Sequence, residues 1–209
     1  MVAAGEIRSL LFDLGNVIID LDQEGCMHRM RKLLRDDADH ERIDQIQVSY
    51  ECGLVSSDIF INTILRESHR KTQAVDVIEV WNSMLVNIPA HRLEMLREVR
   101  KKFNVYLLSN TNAIHLQWVH RYVKLHYGVN DFEKEFFDQA YYSHLVGDRK
   151  PMTSIFRHVI DDALLTPGTT LYMDDMEVNI KVAASLGFKT YLVKEDEDVS
   201  DYLKTNGFY

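Results

Sequence analysis

Short apolar segments that each end in a polar cluster constrain the fold of this chain more than any other feature of its sequence. Three such segments are clear, namely Ser9–Phe12 before Asp13, Val105–Leu108 before Ser109, and Thr170–Met173 before Asp174. Two weaker ones are Gln139–Tyr142 and Thr190–Val193. Runs of this kind are typical of strands that are buried on both faces of a parallel sheet. Because helical segments separate most of them, the sequence predicts βα units and an α/β fold.

The stretch from about Glu24 to Phe103 differs, because it has helical periodicity and no convincing strand. Its predicted helices are Cys26–Arg35, Glu41–Cys52, Ser57–Ser68, Gln73–Leu85 and Ala90–Lys102. A purely helical insertion after the first βα turn predicts a small cap over the strand ends. We therefore assign residues 1–20 and 104–209 to a catalytic core and residues 21–103 to a helical cap, whose last helix leads back to the core.

Length and charge narrow the class of protein. The 209 residues fit one core domain with a modest insertion, and a net charge of -8 argues against a nucleic-acid-binding surface. The apolar runs are too short to span a bilayer, and the start of the chain lacks the features of a secretion signal. We expect a cytoplasmic protein that acts on a small molecule, without a nucleic-acid or membrane partner. Nothing in the sequence specifies an oligomeric state.

The polar residues at the strand ends predict a phosphoryl-transfer site. In an open α/β sheet the binding crevice lies at the carboxyl ends of the strands, where Asp13, Ser109 and the Asp174-Asp175 pair are expected. Asp13 can attack phosphorus and form an acyl phosphate. Since a carboxylate and a phosphate repel each other, a divalent cation is required, and Mg²⁺ prefers the oxygen ligands that Asp13, Asp174 and Asp175 supply. Helix capping explains any single one of these polar residues. It does not explain why all of them follow predicted strands in this order.

Ser109 and two further residues, Lys150 and Asn110, are predicted to bind the phosphate. Lys150 can neutralise charge that develops on the transferring phosphoryl oxygens. Ser109, together with backbone N–H groups that open the next helix, can hold the phosphate, and Asn110 can add a side-chain donor.

These segments resemble the motifs of the haloacid dehalogenase-like hydrolase superfamily, and the resemblance covers essentially the whole chain. The matching segments are Phe12 to Val17, Leu108 to Asn110, Lys150-Pro151, and Met173 to Asp175 with Asn179-Ile180. The resemblance implies a Rossmann-like parallel core with a small helical cap and Mg²⁺-dependent phosphatase activity. It also implies that the backbone carbonyl of Gly15 binds the metal and that Asn179 supports the metal ligands.

One residue departs from that pattern. Most phosphatases of this superfamily carry an acid–base Asp two residues after the nucleophile, whereas this chain has Gly15. The Asp-Leu-Gly-Asn-Val form resembles a branch with α-D-glucose-1-phosphate phosphatase activity. We therefore hypothesise a substrate with a good leaving group, such as a sugar 1-phosphate. A second hypothesis is that Asp20 or a cap residue supplies the missing acid, although Asp20 can equally cap the first cap helix. The cap residues around Tyr50 to Ser57 are our candidates for recognising the substrate.

Two other functions stay open at this stage. A 2-haloacid dehalogenase also uses a nucleophilic Asp and needs no acid, but the Asp174-Asp175 pair would then have no role. A phosphate- and metal-binding module with little turnover is compatible with Gly15. Mg²⁺-dependent hydrolysis of a small phosphorylated metabolite explains more of the residues than either alternative.

Overall fold

The computed structural model describes residues 4–209, and its main feature is a five-stranded parallel sheet. The strands, in spatial order, are β5 (Gln139–Tyr142), β4 (Asn104–Ser109), β1 (Ser9–Phe12), β6 (Thr170–Asp174) and β7 (Lys189–Leu192). All four pairings between neighbours are parallel. The central strand β1 is buried at every residue, as its apolar sequence predicts. The strand order reverses beside β1, which places a ligand crevice at its carboxyl end.

Helices cover both faces of this sheet. They are α5 (Ala90–Arg100), α6 (Ala113–Tyr127), α7 (Phe132–Phe136), α8 (Ser143–Val146), α9 (Thr153–Asp162), α10 (Glu177–Ser185) and α11 (Val199–Thr205). One face packs around residues such as Leu10, Phe12 and Leu107, and the other around Leu11, Phe156 and Tyr172. Short 3-10 turns at Ala4–Glu6 and Pro167–Thr169 precede β1 and β6.

Four helices form the cap, and they have a hydrophobic core of their own. They are α1 (Gln23–Leu33), α2 (His40–Glu51), α3 (Ser57–Glu67) and α4 (Ala74–Asn82). Cys26, Met30, Tyr50, Phe60 and Trp81 are among the buried residues of this second core. The helix starts follow ordinary capping chemistry, since the side chains of Asp22, Asp39 and Ser56 each accept a hydrogen bond from a backbone N–H of the helix that follows.

A small two-stranded sheet joins the cap to the core, and the sequence did not predict it. Strand β2 (Asp20–Leu21) pairs antiparallel with β3 (Leu85–Asn87), so the region contains a strand where we expected only helices. Strands of two and three residues are too short to show a period in sequence, and they form because the outgoing and returning chains meet. Helix α5, which follows β3, packs against β4, α7 and α11 of the core.

Buried hydrogen bonds fix the cap against the start of α6. The indole N–H of Trp81 donates to the side-chain oxygen of Asn112 at 3.3 Å, and Nε2 of His115 lies 3.0 Å from the Trp81 carbonyl. The hydroxyl of Tyr50 accepts from the backbone N–H of Ile114 at 3.1 Å. The helix N-terminus, which would otherwise have free N–H groups, is thus satisfied in part by the cap. Within residues 4–209, no helix is both long and apolar enough to cross a membrane.

Candidate active site

The predicted site residues gather in one cavity of about 390 Å³ between the strand ends and the cap. Its lining includes Asp13, Ser109, Asn110, Lys150 and Asp175. Gly15 and Asn179 line the same cavity. Asp174 is fully buried behind this lining, and one of its oxygens lies within 4.8 Å of oxygens of Asp13 and Asp175. The parallel strands explain this convergence, because their carboxyl ends meet at one edge of the sheet.

Lys150 connects the two acidic strand ends. Its ammonium nitrogen lies 2.7 Å from Oδ1 of Asp13 and 2.7 Å from Oδ2 of Asp174. All three side chains are buried, with Lys150 only 2% exposed. A buried ammonium is costly unless it is paired, and these two carboxylates compensate it. Lys150 therefore stands directly beside the oxygen atoms of the proposed nucleophile.

The carboxylate of Asp174 is already saturated with hydrogen bonds. Its Oδ1 accepts from the backbone N–H of Met176 at 2.7 Å and from Asn179 at 3.0 Å. Its Oδ2 accepts from Lys150 at 2.7 Å, from Asn179 at 3.1 Å and from the hydroxyl of Tyr172. Since a carboxylate offers about four acceptor positions, Asp174 is placed to hold Lys150 and has little capacity left for another partner.

Asp175 is held differently and keeps an oxygen free for a ligand. Its Oδ2 accepts from the side-chain amide of Asn16 at 2.9 Å, and the oxygen of that amide accepts from the backbone N–H of Leu21 at 3.1 Å. Asn16 has a positive φ of 51°, a conformation that Asn tolerates better than most residues. This residue thus joins Asp175 to the segment that leads into the cap.

The charges of this cluster favour a divalent cation. Asp13, Asp174 and Asp175 each present one oxygen, and these oxygens lie within 4.8 Å of one another. Three carboxylates face one ammonium, which leaves an excess of two negative charges in a buried place. Burial raises the pKa of Asp13 to about 7, against the opposing attraction of Lys150, and burial also raises the pKa of Asp175. A hard divalent ion with oxygen ligands fits this charge and the oxygens of Asp13 and Asp175. The hydrogen bonds of Asp174 give that residue a supporting role, in place of the role as a metal ligand that the sequence predicted.

The two residues predicted to bind phosphate occupy the end of β4 and have different surroundings. Ser109 is buried at the cavity. Asn110 instead makes a two-way contact with Lys150: its amide donates to the Lys150 carbonyl at 2.9 Å, and its oxygen accepts from the Lys150 N–H at 2.9 Å. Asn110 therefore orients the backbone that presents Lys150, a contact that the sequence alone did not indicate.

Asp20 is not part of the acidic cluster that the described residues form. It belongs to strand β2, and its carboxylate accepts from Arg92 at 2.8 Å, which also donates to Asp198 at 2.9 Å. The first cap helix is capped by Asp22 and not by Asp20, so that sequence expectation was wrong. Its ion pair and its absence from the cavity lining among the described residues disfavour Asp20 as the missing acid.

Several residues of the site were missed by the sequence interpretation. Asn16 and Tyr172 stand next to predicted residues, and their polar side chains were the available signal. Gln47 and Glu51 of α2, and Arg149 before Lys150, also line the cavity. Glu51 pairs with Arg149 at 3.1 Å across the joint between cap and core. No sequence spacing predicts such a contact, because it depends on how the cap packs.

Comparison with known proteins gives the family. Over 92% of its length the chain is 30% identical to a D-ribitol-5-phosphate phosphatase of Bacteroides thetaiotaomicron, and the match covers 94% of that protein. A HAD family enzyme of the same species, solved with magnesium and inorganic phosphate, matches with a TM-score of 0.84 at 36% identity over 94% of this chain and 98% of that one. A HAD-like family hydrolase of Porphyromonas gingivalis matches with a TM-score of 0.82 at 27% identity, covering 96% and 97%. No family model matches the chain.

The fold and the site define a hydrolase with an aspartate after the first parallel strand, β1, and an acidic pair at the end of the neighbouring strand β6. The chain belongs to the haloacid dehalogenase-like (HAD) family. The predicted fold class, an α/β Rossmann-like core, is confirmed by the same matches and by the parallel sheet.

Proposed function

We propose that this chain hydrolyses the phosphate ester of a small hydroxylated metabolite through a phosphorylated Asp13. The enzyme class, a hydrolase that acts on phosphomonoesters, and the cofactor, Mg²⁺, agree with the sequence expectation and with the relatives. The observation that carries the proposal is the contact of one buried ammonium, that of Lys150, with both Asp13 and Asp174, while Asp175 stands beside them. A nucleophile, a cation and a metal site then share one cavity.

Each step of the proposed reaction is assigned to particular residues. The Asp13 carboxylate attacks phosphorus, the bond from phosphorus to the leaving oxygen breaks, and a water molecule then cleaves the acyl phosphate and restores Asp13. Lys150, fixed by Asp174 and Asn110, stabilises negative charge on the phosphoryl oxygens. Bound Mg²⁺ would be held by Asp13, Asp175 and the Gly15 carbonyl and would reduce the repulsion between the nucleophile and the phosphate.

Two observations narrow the range of possible substrates. Gly15 provides no acid for the leaving oxygen, which favours a sugar 1-phosphate because an anomeric oxygen leaves more readily. The relative in Bacteroides thetaiotaomicron is named for an alditol 5-phosphate, and it matches nearly the whole chain. We therefore place the substrate among small sugar and alditol phosphates.

Dehalogenation is a weaker candidate. A 2-haloacid dehalogenase needs no metal, and Asp175 with its Asn16 partner would then have no function. Three buried or half-buried carboxylates around one ammonium are costly to maintain without a cation to balance them.

The decisive experiment compares wild type with Asp13→Asn on p-nitrophenyl phosphate in the presence of Mg²⁺. Because that leaving group needs no acid, the rate of hydrolysis depends on the nucleophile and not on a general acid. We expect a loss of at least about 10³-fold in kcat for Asp13→Asn. Asp36→Asn, the same chemical change at an exposed position, is the matched control and should retain wild-type activity. Equal turnover in wild type and Asp13→Asn would overturn the proposal.

A second assay assigns the substrate class. Ribitol 5-phosphate and glucose 1-phosphate are hydrolysed with Mg²⁺ in parallel, and the ratio of their kcat/KM values is measured. A higher value for glucose 1-phosphate supports the argument from Gly15. A higher value for ribitol 5-phosphate supports a substrate like that of the relative and requires another proton source.

A further inference from the structure

A second charged pair, separate from the acidic cluster, lines the same cavity. Glu51 is the last residue of helix α2 in the cap, and Arg149 directly precedes Lys150 in the core. Oε2 of Glu51 lies 3.1 Å from Nη2 of Arg149, with side chains 23% and 30% exposed. Burial raises the pKa of Glu51, and the guanidinium of Arg149 opposes that shift. The reaction described above uses neither residue.

The packing between cap and core holds this pair in place. An ideal Cβ on Gly53 would stand 2.0 Å from the carbonyl oxygen of His144, and the φ of Gly53 is +67°. Only glycine allows so close an approach of the two backbones in this conformation. Three residues before Gly53, in α2, the hydroxyl of Tyr50 accepts from the N–H of Ile114. Glu51 is thus fixed between two contacts that join the cap to the core.

Polar atoms beside the pair are left without partners. Among residues 4–209, Nε of Arg149 and Nε2 of Gln47 are buried and form no hydrogen bond. Gln47 lies four residues before Glu51 and therefore on the same face of α2, and both line the cavity. A buried donor without a partner costs free energy unless a ligand or water satisfies it. These donors are available to a polar ligand in this part of the cavity.

The formal charges of the pair sum to zero, which limits what that ligand can be. A hydroxyl group has two acceptor lone pairs and one hydrogen, so it can accept from both the guanidinium and the amide and donate to the carboxylate. A carboxylate or a second phosphate would gain from Arg149 but would face the carboxylate of Glu51 at close range, which is unfavourable.

We propose that Glu51 and Arg149, with Gln47, bind the end of the substrate remote from the phosphate and select an uncharged, hydroxyl-bearing tail against an anionic one. This inference rests on the proposed phosphatase function. Glu51 is the element that rejects anions, and Arg149 and Gln47 are the donors that bind hydroxyls.

The test uses two substrates that differ only at the tail. Glucitol 6-phosphate ends in a hydroxymethyl group, and 6-phosphogluconate ends in a carboxylate. We expect the ratio of kcat/KM, neutral over anionic, to fall by at least about tenfold in Glu51→Gln, because Arg149 is released to bind the carboxylate. In Arg149→Gln the ratio should rise, since only the repelling Glu51 remains. Glu41→Gln, on the same helix and exposed, is the matched control and should keep the wild-type ratio.

A ratio in Glu51→Gln within roughly twofold of wild type would overturn the inference, as would a fall in Arg149→Gln. If Glu51→Gln does not fold, the direction of the change in Arg149→Gln decides. If wild type hydrolyses no phosphate ester, p-nitrophenyl phosphate included, the proposed function fails by itself. The tail selectivity is then measured by calorimetry with Mg²⁺, as the ratio of the Kd values for the two compounds. An equal ratio in wild type and Glu51→Gln, or no binding of either compound, would reject the inference about the tail.

Discussion

Leu21 fills the space that a side chain at position 15 would occupy. An ideal Cβ on Gly15 would lie 2.6 Å from Cδ1 of Leu21 and 3.5 Å from its Cγ. Leu21 belongs to strand β2, and its side chain is held in this position by packing against the main core. The glycine at position 15 and the leucine at position 21 are therefore coupled, and an acid cannot be restored by a single substitution without displacing Leu21.

This coupling predicts a non-additive gain of function. Gly15→Asp alone should lower stability and give little activity, whereas Gly15→Asp combined with Leu21→Ala creates both an acid and the room for it. For an alkyl phosphate such as glycerol 3-phosphate, we expect the double variant to exceed Leu21→Ala by about 10²-fold in kcat/KM, the usual contribution of general acid catalysis. Steady-state assays with Mg²⁺ measure this value.

p-Nitrophenyl phosphate is the control for that experiment, because its leaving group needs no acid. The gain should be confined to the alkyl phosphate. Equal values for Leu21→Ala and the double variant on glycerol 3-phosphate would contradict the idea that Gly15 marks a missing acid.

The main sheet was predictable because its strands are buried on both faces. The apolar runs at Ser9–Phe12 and Thr170–Met173 leave no polar face, so composition alone identifies them. Strand β3 was missed, since Leu85–Asn87 is too short to show a period and forms by pairing with β2. Its existence depends on a contact between distant segments, which a local pattern does not contain.

The site was predictable in its acidic residues and not in their connections. Asp13 and Asp175 could be predicted as site residues because each follows a predicted strand. That Asn110 holds the backbone of Lys150, and that Glu51 reaches Arg149, depends on tertiary packing across the joint between cap and core. Sequence motifs name the groups that react, but the residues that position them are known only once the fold is known.

The hydrogen bonds of the acidic pair predict different effects of two equivalent substitutions. Asp175 keeps an open oxygen, so Asp175→Asn should raise the Kd for Mg²⁺ by at least about tenfold. Asp174 is saturated by five hydrogen bonds. Asp174→Asn should therefore lower the free energy of unfolding by about 1–3 kcal/mol, because it disrupts the buried contact with Lys150. Calorimetric titration with Mg²⁺ and urea unfolding measure the two quantities.

Asp161→Asn, at an exposed acidic pair, is the control for both measurements and should change neither quantity. The assignment fails if Asp174→Asn weakens Mg²⁺ binding more than Asp175→Asn does.

Gly53 offers a test of how the cap is held on the core. Gly53→Ala places a Cβ against the carbonyl oxygen of His144 and also strains a positive φ. Gly128→Ala is a matched control, because Gly128 has a φ of +68° and no atom within 4 Å of an ideal Cβ. Both variants should lose about 1 kcal/mol from backbone strain, and Gly53→Ala should lose more and raise KM as Glu51 shifts. Equal losses of stability with unchanged KM would show that the contact with His144 does not hold the cap.

His115 makes the stability of this joint dependent on pH. The side chain is buried and stacks on Trp81 with ring centroids 4.9 Å apart. Since the Trp81 carbonyl can only accept, Nε2 carries the hydrogen and Nδ1 accepts from the side-chain amide of Asn112 at 3.2 Å, which requires a neutral ring. Burial lowers the pKa of His115 from 6.5 to about 4.

Because the pKa of His115 is lower in the folded protein than in the unfolded chain, acid destabilises the fold. Between these two pKa values the unfolded chain binds a proton that the folded protein does not, so the contribution of His115 to stability is complete above pH 6.5 and is lost as the pH falls towards 4. From about pH 7.5 to about pH 4.5, we expect the free energy of unfolding of wild type to fall by about 2–3 kcal/mol more than that of His115→Gln. Urea unfolding of both proteins at the two pH values measures the difference. An equal fall in the two proteins would mean that the His115 ring does not become protonated on unfolding in this range.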